Sequence, residues 1–181
     1  MYRNFDLESE VKLVGYEWRC DHPEYVVCLV HGIGEHAGRY DRSGEAFKEA
    51  GIAMVGMDLR GHGFSSGTRG HTSPRAGILG DVDCLMDYIQ KEYPGVPVFL
   101  YGHSMGGNIA LDYRKRGRYR SVPEGYIITS PWILLRRKIP KPLYLFARAM
   151  AKIKPDFGMR AKIRPEQLGN PEIIAKQANH H

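Results

Sequence analysis

The fold is decided by residues 98–107, which read Val98-Phe99-Leu100-Tyr101-Gly102-His103-Ser104-Met105-Gly106-Gly107. An apolar run leads into the pattern Gly-x-Ser-x-Gly, and helical spacing follows at residues 109–116, which predicts a strand, a sharp turn at Ser104 and a helix. Glycine is needed at positions 102 and 106 for a steric reason, because the strand and helix backbones approach closely at such a turn. The turn exposes the Ser104 hydroxyl beside the positive end of the helix, which favours a nucleophile over a serine that only caps the helix.

Apolar runs of the same kind recur along the chain, separated by stretches of helical spacing. The runs are residues 25–30, 52–57 and 126–129, and the helical stretches are residues 43–50 and 78–93. Strands that are apolar on both faces and alternate with helices indicate a mostly parallel sheet covered on both sides. We therefore predict a three-layer α/β sandwich, with residues 11–18 in an opening hairpin.

The pattern changes near Ser130 to proline-rich, basic and helical sequence, which predicts a core at residues 1–130 and a helical cap or lid at residues 131–181. Within the cap, an apolar stripe and basic residues outside it predict an amphipathic basic helix. The stripe is Leu143, Phe146, Ala147 and Met150, and the basic residues are Lys141, Arg148 and Lys152. Such a helix packs on the body of the protein or faces a membrane surface as a lid.

Composition narrows the class of protein. The chain has 181 residues, of which 43% are hydrophobic and 25% charged, as in ordinary globular domains. It has no long apolar run and no signal-peptide pattern, so we expect a cytoplasmic protein. Three widely spaced cysteines indicate neither a disulfide framework nor a zinc site, and we expect no metal and no cofactor. Net charge is −6 over residues 1–112 and +12 over residues 113–181, which indicates either an anionic surface or ligand for the second half or balancing acidic residues elsewhere. No nucleic-acid motif is present.

A serine that attacks a carbonyl carbon needs N–H donors for the oxyanion that forms. The N–H of Met105, directly after the serine, is one candidate. The loop after residues 25–30 supplies the other, and it reads His31-Gly32-Ile33-Gly34-Glu35-His36. We predict that the Ile33 and Met105 N–H groups converge near Ser104 Oγ. His31, Gly32 and His103 are expected to support the loop and the turn, and we expect His31 to orient the loop rather than to transfer protons.

Four motifs in this order resemble the monoacylglycerol lipase and lysophospholipase branch of the α/β-hydrolases, a serine aminopeptidase S33-type family. They are His31 to Tyr40, Asp58 to Ser65, Gly67 to Gly70 and Gly102 to Gly107. The resemblance covers about residues 1–135. It implies a serine ester hydrolase acting on lipid esters, with its nucleophile at Ser104, an oxyanion donor at Ile33, loop-organising roles for Asp58 and Arg60, and a mobile cap. A proline iminopeptidase or another esterase on the same scaffold is the alternative within enzymes.

The resemblance breaks after Ser104, because α/β-hydrolases carry the acid and the base on loops that follow later strands. The acidic residues and histidines after Ser104 are Asp112, Glu124, Asp156, Glu166, Glu172, His180 and His181. None follows a later strand, so we interpret the chain as the inactive N-terminal part of such an enzyme, without its C-terminal strands. The alternative is a short protein that keeps the pocket and acts as a binding or scaffold module. In either case we expect a C-terminal fragment or a partner chain at the exposed edge strand 126–129.

Overall fold

A computed structural model describes residues 1–71, 74–133 and 139–154, and in them a sheet of six strands carries helices on both faces. The strands are β1 (Arg3–Glu8), β2 (Lys12–Trp18), β3 (Tyr25–Val30), β4 (Ile52–Met57), β5 (Val98–His103) and β6 (Pro123–Thr129). The helices are α1 (Asp41–Glu49), α2 (Arg75–Glu92), α3 (Met105–Arg116) and α4 (Lys141–Ile153), and a 3₁₀ turn spans Ala37–Tyr40.

The strand order is β1-β2-β4-β3-β5-β6. β4, β3, β5 and β6 are parallel, whereas β1 and β2 form an antiparallel hairpin whose second strand pairs with β4. The predicted α/β fold with a mostly parallel sheet is confirmed. Because parallel strands end at the same edge of the sheet, the loops after β3 and β4 and the turn after β5 meet at one edge.

Alternate residues of β3 enter two separate hydrophobic clusters, one on each face of the sheet. Val26, Cys28 and Val30 pack with residues of α2 and α3, including Leu85 and Ile109. On the other face, Val27 and Leu29 belong to a second cluster, which is flanked by Phe47 of α1. Its other buried members are Tyr16, Trp18, Ala37 and Met54. Burial on both faces explains why β3 is apolar at every position, as the sequence predicted.

Most elements differ from the sequence prediction by a few residues at their ends, and β6 and α3 illustrate the reasons. β6 begins at Pro123 rather than at Tyr126, and it is the edge of the described sheet, where a proline at the first strand position is tolerated. α3 begins directly after Ser104 rather than at residue 109. The periodic apolar positions begin later than the helix because its first turn is occupied by the glycines of the serine motif.

α4 forms within the stretch that the sequence assigned to the cap, and none of its residues is buried. Leu143 is 46% exposed and Phe146 is 50% exposed, so the apolar stripe is largely open to solvent. Residues 134–138 and 155–181 of the predicted cap, with His180 and His181, lie outside the described residues. Among the described residues, none of the helices has the length and apolar composition of a membrane span.

A buried ion pair fastens the loop after β4 to the body of the fold. Arg60 Nε and Nη2 donate to the two oxygens of Asp81 on α2 at 2.6 and 2.8 Å, and both residues are buried. Ser9 Oγ, in the β1–β2 turn, donates to Asp81 Oδ1 at 2.7 Å. The loop, the hairpin and α2 therefore share one carboxylate.

We expect Asp81→Ala to lower the free energy of unfolding by about 3 kcal/mol, because it removes the buried counter-ion of the Arg60 guanidinium. The carboxylate that remains to Arg60 is that of the exposed Glu10, at 3.3 Å. Asp6→Ala is the matched control, since Asp6 pairs with Lys12 at 2.9 Å on the surface. Its expected cost is below about 1 kcal/mol. Urea denaturation of both variants measures the difference, and equal losses would contradict the role given to Asp81.

Candidate active site

Ser104 forms the turn between β5 and α3 in a strained backbone conformation. Its φ is 53° and its ψ is −116°, values that non-glycine residues rarely adopt. The Ser104 N–H donates to Thr129 O at 2.8 Å, which ties the turn to the end of β6. Although Ser104 is at the N-cap position of α3, its side chain makes no capping hydrogen bond. The hydroxyl of this partly exposed residue is therefore not used to cap the helix.

The glycines on either side of Ser104 are required by close backbone contacts. A Cβ at Gly102 would overlap the carbonyl oxygen of Gly106, and a Cβ at Gly106 would overlap the carbonyl oxygen of Val30 at the end of β3. These contacts press the turn against β3 and the loop that follows it. The same approach brings Gly32 next to the serine, because a Cβ at Gly32 would lie 3.1 Å from Ser104 Cβ.

Both polar groups of Gly32 are held by side chains of its own loop. Its N–H donates to Glu35 Oε1 at 2.6 Å, and its carbonyl oxygen lies 2.7 Å from His31 Nδ1. In a trans peptide the C=O and the following N–H point in opposite directions, so the bond to His31 also fixes the direction of the Ile33 N–H. Ile33 lies beyond the end of β3, and its N–H is therefore outside the strand ladder.

His31 is a neutral, fully buried residue that supports this loop. The Leu59 N–H donates to His31 Nε2 at 2.9 Å, so the proton of the ring is on Nδ1 and is donated to Gly32 O. Burial lowers the pKa of His31 to about 4. With both ring nitrogens engaged, His31 has the contacts of an orienting residue, the role that the sequence analysis gave it.

Glu35 is a residue of the candidate site that the sequence motifs did not single out. In addition to the Gly32 N–H, its Oε1 accepts a hydrogen bond from Tyr40 Oη at 3.0 Å. Burial and the nearby Glu35 carboxylate raise the pKa of Tyr40. The signal in the sequence was a carboxylate three residues after Gly32, close enough to reach back to a backbone N–H, as in a helix capping box.

Asp58 is a buried carboxylate that joins the loops at this edge of the sheet. It accepts hydrogen bonds from Tyr16 Oη at 3.0 Å, from the Ala37 N–H at 2.8 Å and from the Phe64 N–H at 2.8 Å. Burial, followed by the Asp58 charge, raises the pKa of Tyr16. Asp58 is therefore bonded to β2 and to the loops that follow β3 and β4. These are the contacts expected of the loop-organising residue that the resemblance implied.

The described residues after Ser104 do not offer a base and a carboxylate to the serine. No histidine is among them, and Asp112 forms ion pairs with Arg75 at 2.7 Å and with Arg116. Glu124 lies near the start of β6, at the opposite end of that strand from Thr129. His103, directly before the serine, has its Nδ1 2.9 Å from Thr129 Oγ1. It therefore braces the turn against β6.

The chain is similar over most of its length to known hydrolases. The family described as serine aminopeptidase, S33, matches residues 21–181. Monoacylglycerol lipase of Mycolicibacterium smegmatis is 30% identical over 166 residues, and phospholipase YtpA of Bacillus subtilis is 34% identical over 165 residues. Each alignment covers 91% of this chain, whereas the chain spans 59% and 62% of the length of these two relatives.

The fold is likewise similar to that of a solved lipase. The crystal structure of a soluble variant of monoglyceride lipase from Saccharomyces cerevisiae, in complex with a substrate analog, matches with a TM-score of 0.78 and 26% sequence identity. The match covers 97% of this chain and 59% of that chain. The sequence and the backbone thus point to the same group of proteins.

We expect Gly106→Ala to destabilise the protein by about 1–3 kcal/mol, because the new methyl group meets backbone oxygens that cannot move aside. Gly80→Ala is the matched control, since Gly80 is also helical but a Cβ there has open space around it. Alanine at such a position in a helix stabilises by about 0.5–1 kcal/mol. Thermal unfolding of the two variants should therefore shift in opposite directions, and a harmless Gly106→Ala would contradict the close-contact explanation.

We expect His31 to make stability depend on acid pH. The unfolded chain protonates this histidine near its ordinary pKa of about 6.5, whereas burial lowers the pKa in the folded protein to about 4. Between these values the unfolded state binds more protons, so stability is lost as the pH falls from about 6.5 to about 4, by about 3 kcal/mol in all. His31→Gln removes this titration, and denaturant unfolding from pH 7 to pH 4 should show a shallower loss. An unchanged pH profile would contradict the assignment.

Proposed function

The chain belongs to the serine aminopeptidase S33 family of α/β-hydrolases, in its monoacylglycerol lipase-like group, and on that premise we propose that Ser104 is the nucleophile of a carboxylic ester hydrolase. One observation carries the proposal. Ser104 has a φ of 53° in a strand-to-helix turn, and Gly32 of the neighbouring loop lies directly against it. Such strain persists only where the surrounding structure holds it in place, and it is concentrated at functional sites.

In the proposed reaction, Ser104 Oγ attacks the carbonyl carbon of an ester while its proton passes to a base. The carbonyl oxygen becomes an oxyanion, which the N–H groups of Ile33 and Met105 stabilise. Collapse of this intermediate expels the alcohol, which takes up the proton from the base, and leaves an acyl group on the serine. Water then releases the carboxylic acid by the same steps. His31 and Glu35 take no part in proton transfer and keep the loop with Ile33 in place.

We propose that the base and its orienting carboxylate come from outside the 181 residues. In support, His31 and His62 are buried and lie in ring contact, with centroids 5.4 Å apart, and His103 is directed at Thr129. The relatives are also longer, since the chain spans about three fifths of their length. The isolated chain would then bind substrate and stabilise an oxyanion but turn over very slowly.

The substrate that we propose is a lipid ester such as a monoacylglycerol or a lysophospholipid. Two relatives are named monoacylglycerol lipase and phospholipase, and exposed apolar side chains near the serine, such as Ile33 at 48% exposure, suit an acyl chain. We further propose that α4, with its open apolar stripe and basic residues, belongs to a cap over the core and contacts membrane surfaces from the cytoplasm. In the alternative of a binding or scaffold module, the pocket would hold such lipids without cleaving them.

A fluorophosphonate probe tests the nucleophile, because it reacts rapidly only with an activated serine. We expect very slow labelling of the 181-residue chain and labelling about 10⁴- to 10⁶-fold faster in a protein in which the base and carboxylate reach Ser104. Ser104→Ala should abolish the label, whereas Ser43→Ala, at an exposed serine of α1, should leave it unchanged. Rapid labelling of the isolated chain would show that a base lies within it. A full-length protein that never labels would favour the binding module.

A further inference from the structure

The side-chain amide of Asn108 binds both backbone groups of Trp132, on the segment that leaves the sheet toward the cap. Asn108 Nδ2 donates to Trp132 O at 2.9 Å, and the Trp132 N–H donates to Asn108 Oδ1 at 2.6 Å. Two bonds to one residue fix the plane of its backbone, as one pair of an antiparallel ladder does. We refer to this pair of hydrogen bonds as the amide clamp.

The amide clamp joins the serine turn to the first residues after β6. Asn108 is on the first turn of α3, where its N–H donates to Ser104 O at 3.3 Å. Between Thr129 and Trp132 the chain turns sharply, since Ser130 has a positive φ of 48°. Pro131 packs against α3, because a Cβ at Gly107 would lie 3.3 Å from Pro131 Cβ. The start of the cap segment is therefore fastened to the helix that begins at the nucleophile.

The segments that meet at the serine turn carry exposed apolar side chains. Ile33 is 48% exposed, Trp132 is 50% exposed and Ile133 is 72% exposed. Apolar surface of this kind beside a reacting serine suits the hydrocarbon part of a substrate rather than a polar peptide. The backbone position of Trp132 decides where the side chains of Trp132 and Ile133 lie relative to Ser104.

We propose that Asn108 is a positioning residue. By holding the segment after β6 on α3, it places the apolar side chains of Trp132 and Ile133 where they contact the acyl chain of the substrate. This inference rests on the proposed ester hydrolysis for its chemical meaning, but the clamp itself is independent of it. The clamp lies at an exposed position, where water competes for both hydrogen bonds. It holds the segment in one place, at a strength that a single substitution can remove without unfolding the protein.

The structural arm of the test is amide hydrogen exchange in Asn108→Ala. Alanine is a better helix former than asparagine, so α3 is retained. We expect the Trp132 amide to exchange about tenfold faster once its acceptor is lost. The Ser104 amide, which donates to Thr129 O, serves as the internal control and should not change. Lys115→Ala, on the same helix and outside the clamp, should leave both amides unchanged. Unaltered exchange at Trp132 in Asn108→Ala would overturn the clamp.

The kinetic arm compares a long-chain monoacylglycerol with a short acetate ester, using the full-length hydrolase. For Asn108→Ala we expect KM for the long-chain ester to rise about tenfold, with kcat and the short-ester kinetics unchanged, because only binding of the chain is lost. Trp132→Leu removes the indole ring but keeps the clamp, because the clamp uses the backbone atoms of Trp132. This variant therefore separates the contribution of the ring from that of the backbone position. Equal loss of kcat on both esters would mean a merely structural role and would overturn the inference. Absence of hydrolysis in the unaltered protein would instead refute the proposed function, while the exchange result still decides the clamp.

Discussion

Backbone contact between the serine turn and the end of β3 is the constraint on which the rest of the site depends. At Gly106 the helix backbone is so close to the Val30 carbonyl that no side chain fits between them. Because β3 and β5 are parallel neighbours, this contact occurs where both strands end, and it brings Gly32 against Ser104. The strained conformation of Ser104 persists because the chain is fixed on both sides of it, by β5 and by α3.

Polar side chains around the turn hold backbone groups in place, and the carboxylates of Glu35 and Asp58 each also accept a hydrogen bond from a tyrosine hydroxyl. His31 and Glu35 hold the two polar groups of Gly32, and Asp58 receives N–H groups from two different loops. Loops held in this way keep their N–H groups in a fixed direction before any substrate arrives. Preorganised donors are the largest single source of rate acceleration in acyl transfer, so the rigid loops suit the proposed reaction. The buried neutral His31 contributes this rigidity at the expense of stability in acid.

Much of this arrangement could be predicted from the sequence, because short-range patterns decide it. The apolar runs predicted β3, β4 and β5, and the glycines around Ser104 predicted the turn, since both follow from local sterics and burial. Glu35 left only a short local signal, a carboxylate three residues after Gly32, and the bonds between Asn108 and Trp132 left none. Those bonds join residues that are 24 positions apart, and their proximity is set by the folded chain. The edge strand β6 was predicted too short because its first residues lack the apolar pattern.

We propose that Ser104 attacks an ester carbonyl whose oxygen is received by two backbone amides. The most direct test is the crystal structure of the protein phosphonylated at its reactive serine, since the phosphonyl oxygen stands where the oxyanion would lie. We predict an adduct on Ser104 Oγ, with this oxygen about 2.7–3.1 Å from the nitrogens of both Ile33 and Met105. An adduct on another residue, or an oxygen on Ser104 that turns away from these two amides, would contradict the account.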